Sequence, residues 1–211
     1  EKAPMTELVV TYFEMTSPPD RHGRSKMPAG QYALLRAWNM PVHFYRYLHE
    51  GAQATALRPE RLGLDDAAIA DILSDEQIEI FVLYVAGVPA GFAELDRRAE
   101  DEAIEIAYHG LMPEYVGLSF RGFLLDQVVD IAWSYRPTRL WACCSNLDHP
   151  KAMQTYQRGG FGVFRQERKP MPAGRVGSDR SRNAGDLSGI GAGNGADLSN
   201  IVPGPAGEAP T

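Results

Sequence analysis

Residues 110–123, Gly-Leu-Met-Pro-Glu-Tyr-Val-Gly-Leu-Ser-Phe-Arg-Gly-Phe, hold the change of hydrophobic period on which the fold reading turns. Before this stretch the apolar residues run as strands. Gln77–Ala86 (QIEIFVLYVA) is a dense apolar run closed by the turn Gly87-Val88-Pro89. Ala90–Arg97 reads as its returning partner, and Glu102–Leu111 as a third strand after the charged turn Arg97–Asp101. Such hairpin-linked runs predict an antiparallel meander. After the stretch, Phe120, Phe123, Leu124, Val128, Ile131 and Ala132 recur at helical spacing up to Ser134. A strand therefore ends at Gly110–Pro113, a glycine turn follows, and a long helix begins near Ser119. The free N–H groups at such a helix start bind anions through hydrogen bonds and the helix macrodipole.

Further out, Arg139–Cys144 (RLWACC) reads as a strand, Pro150–Arg158 as a short helix and Phe161–Gln166 as a last strand. Upstream, Leu8–Met15 is rich in β-forming residues, and Ser17–Gln31 is a Pro/Gly-punctuated loop carrying Arg21, His22, Arg24 and Lys26. Asn39 is placed to cap a helix with Pro41 in its first turn and the stripe Val42, Tyr45, Leu48, Ala52. Asp65 or Asp66 starts another helix with Ile69, Ile72 and Leu73 as its buried face. The order predicts one α/β domain over residues 1–169, a mixed and largely antiparallel sheet flanked by helices. Residues 170–211 contain nine glycines, five prolines and no aromatic residue. Too little apolar area is available there to offset ordering entropy, so a flexible tail is expected.

The 211 residues are 44% hydrophobic and 23% charged, with mean hydropathy −0.28. No apolar run reaches the roughly 18 residues a membrane helix needs, which argues against membrane insertion. A net charge of −6 argues against a protein that grips nucleic-acid phosphates. The two cysteines, Cys143 and Cys144, are adjacent in a strand and read as small core residues, so a reducing, cytoplasmic location is expected. His43 and His49 sit six apart with no second pair, and no metal site is expected.

A second motif gives the turn its meaning. Downstream of the strand ending at Cys144 come Asn146, His149, Pro150, Lys151, Ala152, Tyr156, Gly160 and Phe161. Together with Pro113-Glu114-Tyr115-Val116-Gly117 this pattern resembles the GNAT superfamily of acetyl-CoA-dependent N-acetyltransferases. The resemblance spans about residues 6–167, and the order of elements fits it. It implies a GNAT-type fold and transfer of an acetyl group from acetyl-CoA to a primary amine on a small molecule or peptide. It implies coenzyme contacts from the Leu111 and Met112 backbone, from Val116, Gly117, Leu118, Ser119, Phe120, Arg121 and Gly122 around the pyrophosphate, and from Asn146. A homodimer is common in the family.

One departure stands in the turn. The family pattern there is Arg/Gln-x-x-Gly-x-Gly/Ala, and this chain has Val116, Ser119 and Arg121 at the three diagnostic places. Glycine lets the backbone approach phosphates closely. Ser119 can still offer its hydroxyl and N–H, and Arg121 can pair with the phosphates or fill their place. The alternative reading is therefore a GNAT-shaped binding or regulatory module without catalysis. For the chemistry, the resemblance places a general acid at Tyr156, one helical turn beyond Ala152, and a general base at Glu105. Glu105, Ala107 and His109 are expected to share one strand face, which makes His109 the second candidate base. A tyrosine packed against Phe161 is the structural alternative for Tyr156. Glu94, with Phe92 and Asp96, reads either as a ligand for the acceptor amine or as a solvated carboxylate at a sheet edge. The cationic loop at residues 21–26 reads as a solvated loop or as a border of the acceptor site.

Overall fold

Among the described residues there are seven strands and four helices, and all but the strand Tyr32–Arg36 form where the apolar periods place them. The computed structural model describes residues 7–20, 25–26, 28, 30–52, 63–146, 148 and 151–170. Its elements are β1 (Glu7–Met15), β2 (Tyr32–Arg36), α1 (Val42–Gly51), α2 (Asp66–Ser74), β3 (Ile78–Val85) and β4 (Val88–Asp96). They continue as β5 (Ile104–Leu111), a 3-10 turn (Pro113–Tyr115), α3 (Phe120–Ser134), β6 (Leu140–Ser145), α4 (Ala152–Arg158) and β7 (Gly162–Pro170). The strands make one sheet in the order β2-β3-β4-β5-β6-β1-β7. Every adjacent pair is antiparallel except β5 and β6, which run parallel. The expected meander is β3-β4-β5.

Apolar side chains pack on both faces. Phe13, Leu95, Ile106, Leu140 and Ala142 join Leu124, Leu125 and Val128 of α3 in one cluster. Ile80, Val82 and Phe92 join Tyr45 and Leu48 of α1 and Ile69 of α2 in a second. Asp65 is the N-cap of α2, its Oδ1 accepting from the Ala68 N–H at 2.8 Å, which satisfies a donor the helix itself cannot. The stripe of α1 buries Tyr45, Leu48 and Ala52 as expected.

Three local readings change. Pro41, not Asn39, precedes α1, and Asn39 instead takes a left-handed φ of 52°, a conformation asparagine tolerates well. β2 had no sequence signal, being a five-residue edge strand of alternating half-exposed and exposed residues. β7 runs four residues beyond Gln166, to Pro170, because β1 pairs with it from Glu7 onward. The rest of the expected tail lies outside the described residues. The strand β1 stands apart from the meander, on the far side of β6. It lies between β6 and β7, with Phe13 in register with Ala142 on one side and Val163 on the other. No described helix is long and apolar enough to cross a membrane.

Candidate functional site

The parallel pairing of β5 and β6 lasts three residues: Ile104 with Leu140, Glu105 with Trp141, and Ile106 with Ala142. Beyond Ile106 the strands part, while β5 continues to Leu111 and β6 to Ser145. A V-shaped gap opens in the middle of the sheet. Met112 donates its N–H to Ala90 O on the β4 side, at 2.9 Å. Because successive N–H groups of a strand point to opposite edges, that of Leu111 points to the gap. Met112 is not equivalent: its N–H is taken by β4 and its carbonyl also accepts from Tyr115 N at 3.0 Å.

A β-bulge changes which side chains face the gap from each side. Glu94 pairs with Tyr108 and Leu95 with Ile106, leaving Ala107 as an extra residue on β5. The expected alternation of Glu105, Ala107 and His109 is therefore broken. Glu105 lies opposite Asp96 and beside Trp141, half-buried and within the closed part of the V. His109 turns to the α3 face, where its Nε2 sits 3.0 Å from Arg121 O. Tyr108 turns to the α1 face, donates to Ala52 O at 3.0 Å and stacks on Phe92 with centroids 4.1 Å apart. Burial pushes its phenol up.

Glu94 is neither solvated nor at an edge. It is 1% exposed on an interior strand, and its Oε2 accepts from the Tyr45 hydroxyl at 2.7 Å. His49 Nε2 lies 3.9 Å away, and the ring of His49 packs on Tyr45, Phe92 and Tyr108. A carboxylate this enclosed does not meet an acceptor amine from solvent, so its first role is to hold α1 on the sheet.

The turn after β5 presents N–H groups at the head of the gap. Gly117 has φ 94°, which only glycine adopts freely. Val116 N donates to Pro113 O and Phe120 N to Leu118 O. Among the described residues, the N–H groups of Gly117, Leu118, Ser119, Arg121 and Gly122 make no backbone bond. Ser119 is the N-cap of α3 at φ −64°, and its hydroxyl makes no capping bond. Arg121 is helical, so neither substituted position needs the torsional freedom of glycine. The backbone N–H groups of the helix start do not depend on which residues carry them. Gly122 lies against Ser25, where a Cβ would clash, and Ser25 N donates to Asp126 Oδ2 at 2.7 Å. The part of the cationic loop that is described thus packs on α3, with Lys26 exposed; Arg21, His22 and Arg24 lie outside the described residues.

On the other arm of the V, Tyr156 of α4 is 6% exposed. Its ring stacks on Phe13 at 5.2 Å, meets Phe161 edge-on at 5.6 Å and meets His109 edge-on at 6.0 Å. Burial, with the nearby Cys143, Cys144 and Asp148, raises its phenol well above the ordinary value, and the Arg121 cation partly opposes this. The hydroxyl is protonated at neutral pH. Burial pushes the Cys144 thiol up to about 12, in keeping with a core residue. Asp148, which the sequence reading passed over, takes Ser145 N at 2.6 Å and Ser145 Oγ at 3.3 Å on its Oδ2. The Ser-x-x-Asp spacing was its signal.

Asn146 is tied into the sheet. Its Oδ1 accepts from Val9 N at 3.0 Å and its Nδ2 donates to Glu7 O at 2.9 Å. Both ends of the amide clamp β1 to β6, each keeping one further hydrogen-bonding position. His149 and Pro150 lie outside the described residues. Among the described residues no group of three or more His, Cys, Asp or Glu is placed to hold a metal ion.

No protein-family model and no curated protein matches the sequence. Solved structures do match the fold. A tandem GNAT protein from the clavulanic acid biosynthesis pathway aligns with TM-score 0.51 and 13% identity, over 79% of this chain and 54% of that one. The chain has a GNAT fold. A functionally unknown conserved protein from Staphylococcus epidermidis aligns with TM-score 0.50 and 13% identity, over 76% of this chain and 60% of that one. AAC(6')-Iy, solved in complex with the bisubstrate analogue CoA-S-monomethyl-acetylneamine, aligns with TM-score 0.49 and 17% identity, over 70% of this chain and all of that one. This chain therefore spans little more than half of the tandem protein. The splayed strands, the helix start and the buried tyrosine lie within its GNAT fold.

Proposed function

We propose that this protein is an acyl-CoA-dependent N-acyltransferase that moves an acetyl group from acetyl-CoA to a primary amine. The observation that carries the reading is the gap between β5 and β6. It has a strand edge with an inward N–H at Leu111, a helix start rich in N–H donors above it, and a protonated phenol at Tyr156. These parts match the needs of the chemistry. Acetyl-CoA supplies the acetyl group as an activated thioester and a phosphate-rich handle. The N–H groups of residues 117–122 and the Ser119 hydroxyl suit the phosphates. The Leu111 N–H suits a carbonyl oxygen that gains charge as an amine adds to the carbon. Tyr156 suits delivery of a proton to the departing sulfur. The attacking amine must also shed a proton; Glu105, the base the resemblance implies, lies six residues before Leu111 in the closed part of the V, roughly 17–20 Å along β5, too far to take that proton directly.

Thermal unfolding with and without acetyl-CoA tests the reading. A ligand at 100 times its Kd stabilises the fold by about 2.7 kcal/mol, an easily measured rise in Tm. Release of free thiol on a panel of polyamines, amino acids, aminoglycosides and peptide N-termini then finds the acceptor. No rise in Tm at millimolar acetyl-CoA would favour the catalytically silent GNAT-fold module instead, for which Ser119 and Arg121 in the turn are the motive.

A further inference from the structure

The second candidate base is the residue whose placement demands another explanation. His109 faces α3 only because Ala107 is bulged out of register. Without the extra residue its side chain would fall on the α1 face. Its Nε2 lies 3.0 Å from Arg121 O in the first turn of α3. A carbonyl can only accept, so Nε2 carries the proton and donates it. Nothing in the first turn of α3 does comparable work: Ser119 makes no capping bond and the turn has no acidic residue. Two residues along the strand from His109 is Leu111, whose N–H enters the gap. Five residues of the turn, from Gly117 to Gly122 with Phe120 excepted, offer the N–H groups above it.

We propose that His109 is the positioning residue of this site, tying the anion-binding start of α3 to the open edge of β5 through its ring N–H to Arg121 O. The tie rests on the proposed acyl transfer for its purpose, since it sets the spacing between a phosphate handle and a thioester carbonyl. It acts with the imidazole neutral. Burial, assisted by the Arg121 cation, lowers its pKa to about 3, and the hydrogen bond to Arg121 O opposes this only in part. The titratable groups packed around it are Arg121 from α3 and the protonated Tyr156 from α4; Ala93 opposite it on β4 has no charge. A ring so held is a donor to the backbone and not a base.

His109→Phe keeps a ring and removes the donor, whereas His109→Gln retains an amide N–H of similar reach. Acetyl-CoA affinity and amide hydrogen exchange are measured on the full chain for both variants. His109→Phe is expected to weaken acetyl-CoA binding about tenfold, the worth of one part-buried hydrogen bond, and to speed exchange in the first two turns of α3. His109→Gln is expected to restore both to within about threefold of wild type. The proposal is overturned if His109→Phe changes neither quantity, or if His109→Gln is as impaired as His109→Phe. It is also overturned if His109→Gln binds acetyl-CoA normally but turns over no amine, which would assign chemistry to the ring. Should His109→Phe fail to fold, His109→Gln decides alone, and faster α3 exchange in it sinks the tie. If wild type binds no acetyl-CoA, the acyltransferase reading fails, and the exchange data still decide whether the tie exists.

Discussion

Tyr156 combines a packing role and a chemical one on a single side chain. Its ring is part of the core formed with Phe13 and Phe161, and its phenol is held protonated by burial. Tyr156→Phe separates the two, because the ring stays and only the proton goes. Turnover should fall about tenfold to a thousandfold while acetyl-CoA affinity stays within about threefold. Full activity would remove Tyr156 from the chemistry, and an unfolded variant would assign the hydroxyl to stability. His109 gives a second measurable consequence at this scale, through pH. Its folded pKa, about 3, lies below the ordinary imidazole value of 6.5, so the unfolded chain takes up a proton first as pH falls. The stability linked to this group is thus complete above pH 6.5 and is lost as pH drops toward 3. The slope is at most about 1.4 kcal/mol per pH unit for one proton. Urea unfolding at pH 7, 6 and 5 should show that loss in wild type and a flatter profile in His109→Gln. Equal slopes would mean the imidazole is not held neutral.

At the scale of elements, the starts of α2 and α3 and the β3-β4-β5 meander were legible, and the pairings of β1, β2, β6 and β7 were not. Asp65 before Ile69, and Ser119 before Phe120, are signals carried by neighbours in sequence, and both helices begin where those residues say. The bulge at Ala107 is different. A strict period of two puts Glu105 and His109 on one face, and only pairing with β4 reveals the extra residue. Asn146 was read as a coenzyme ligand because it sits in a recognisable motif. Its partners, Glu7 and Val9, are about 140 residues earlier, and no local pattern announces them. Glu94 was misread for the same reason: an edge carboxylate and an interior one look alike in sequence until the order of strands is known. The opening of the V is itself a pairing property, visible as three registered residues between two strands each at least twice that long. What sequence supplied was the chemistry of the candidates; the pairings decided which of them reach the gap.

For the folded unit as a whole, the sheet must be held together across its two halves, and the β2–β4 half carries an enclosed ionic junction. Glu79 of β3, 0% exposed at its side chain, meets Arg97 at 2.9 Å and Arg36 at 3.4 Å. The Tyr135 hydroxyl at the end of α3 donates to the same oxygen at 2.7 Å, and the Arg97 guanidinium lies 4.2 Å from the centre of the Tyr135 ring. One carboxylate therefore joins β2, β3, the residue following β4 and the residue following α3. The arginines keep about a quarter of their side-chain surface in water, so desolvation of the cations is incomplete. Removing the single anion leaves two guanidinium groups facing a buried amide. Glu79→Gln preserves shape and the bond to Tyr135 while deleting the charge. Breaking such a junction from one side costs about 3 kcal/mol, the low end for buried pairs because the arginines can turn to solvent. For a chain of this size that is a fall in Tm of about 6–12 °C. Arg36→Met should cost less, since Arg97 and Tyr135 still satisfy Glu79. Calorimetric scans of both variants check the order. A Glu79→Gln protein that melts within about 2 °C of wild type would show that packing of α3 and the meander, not the ion pairs, holds this half of the sheet.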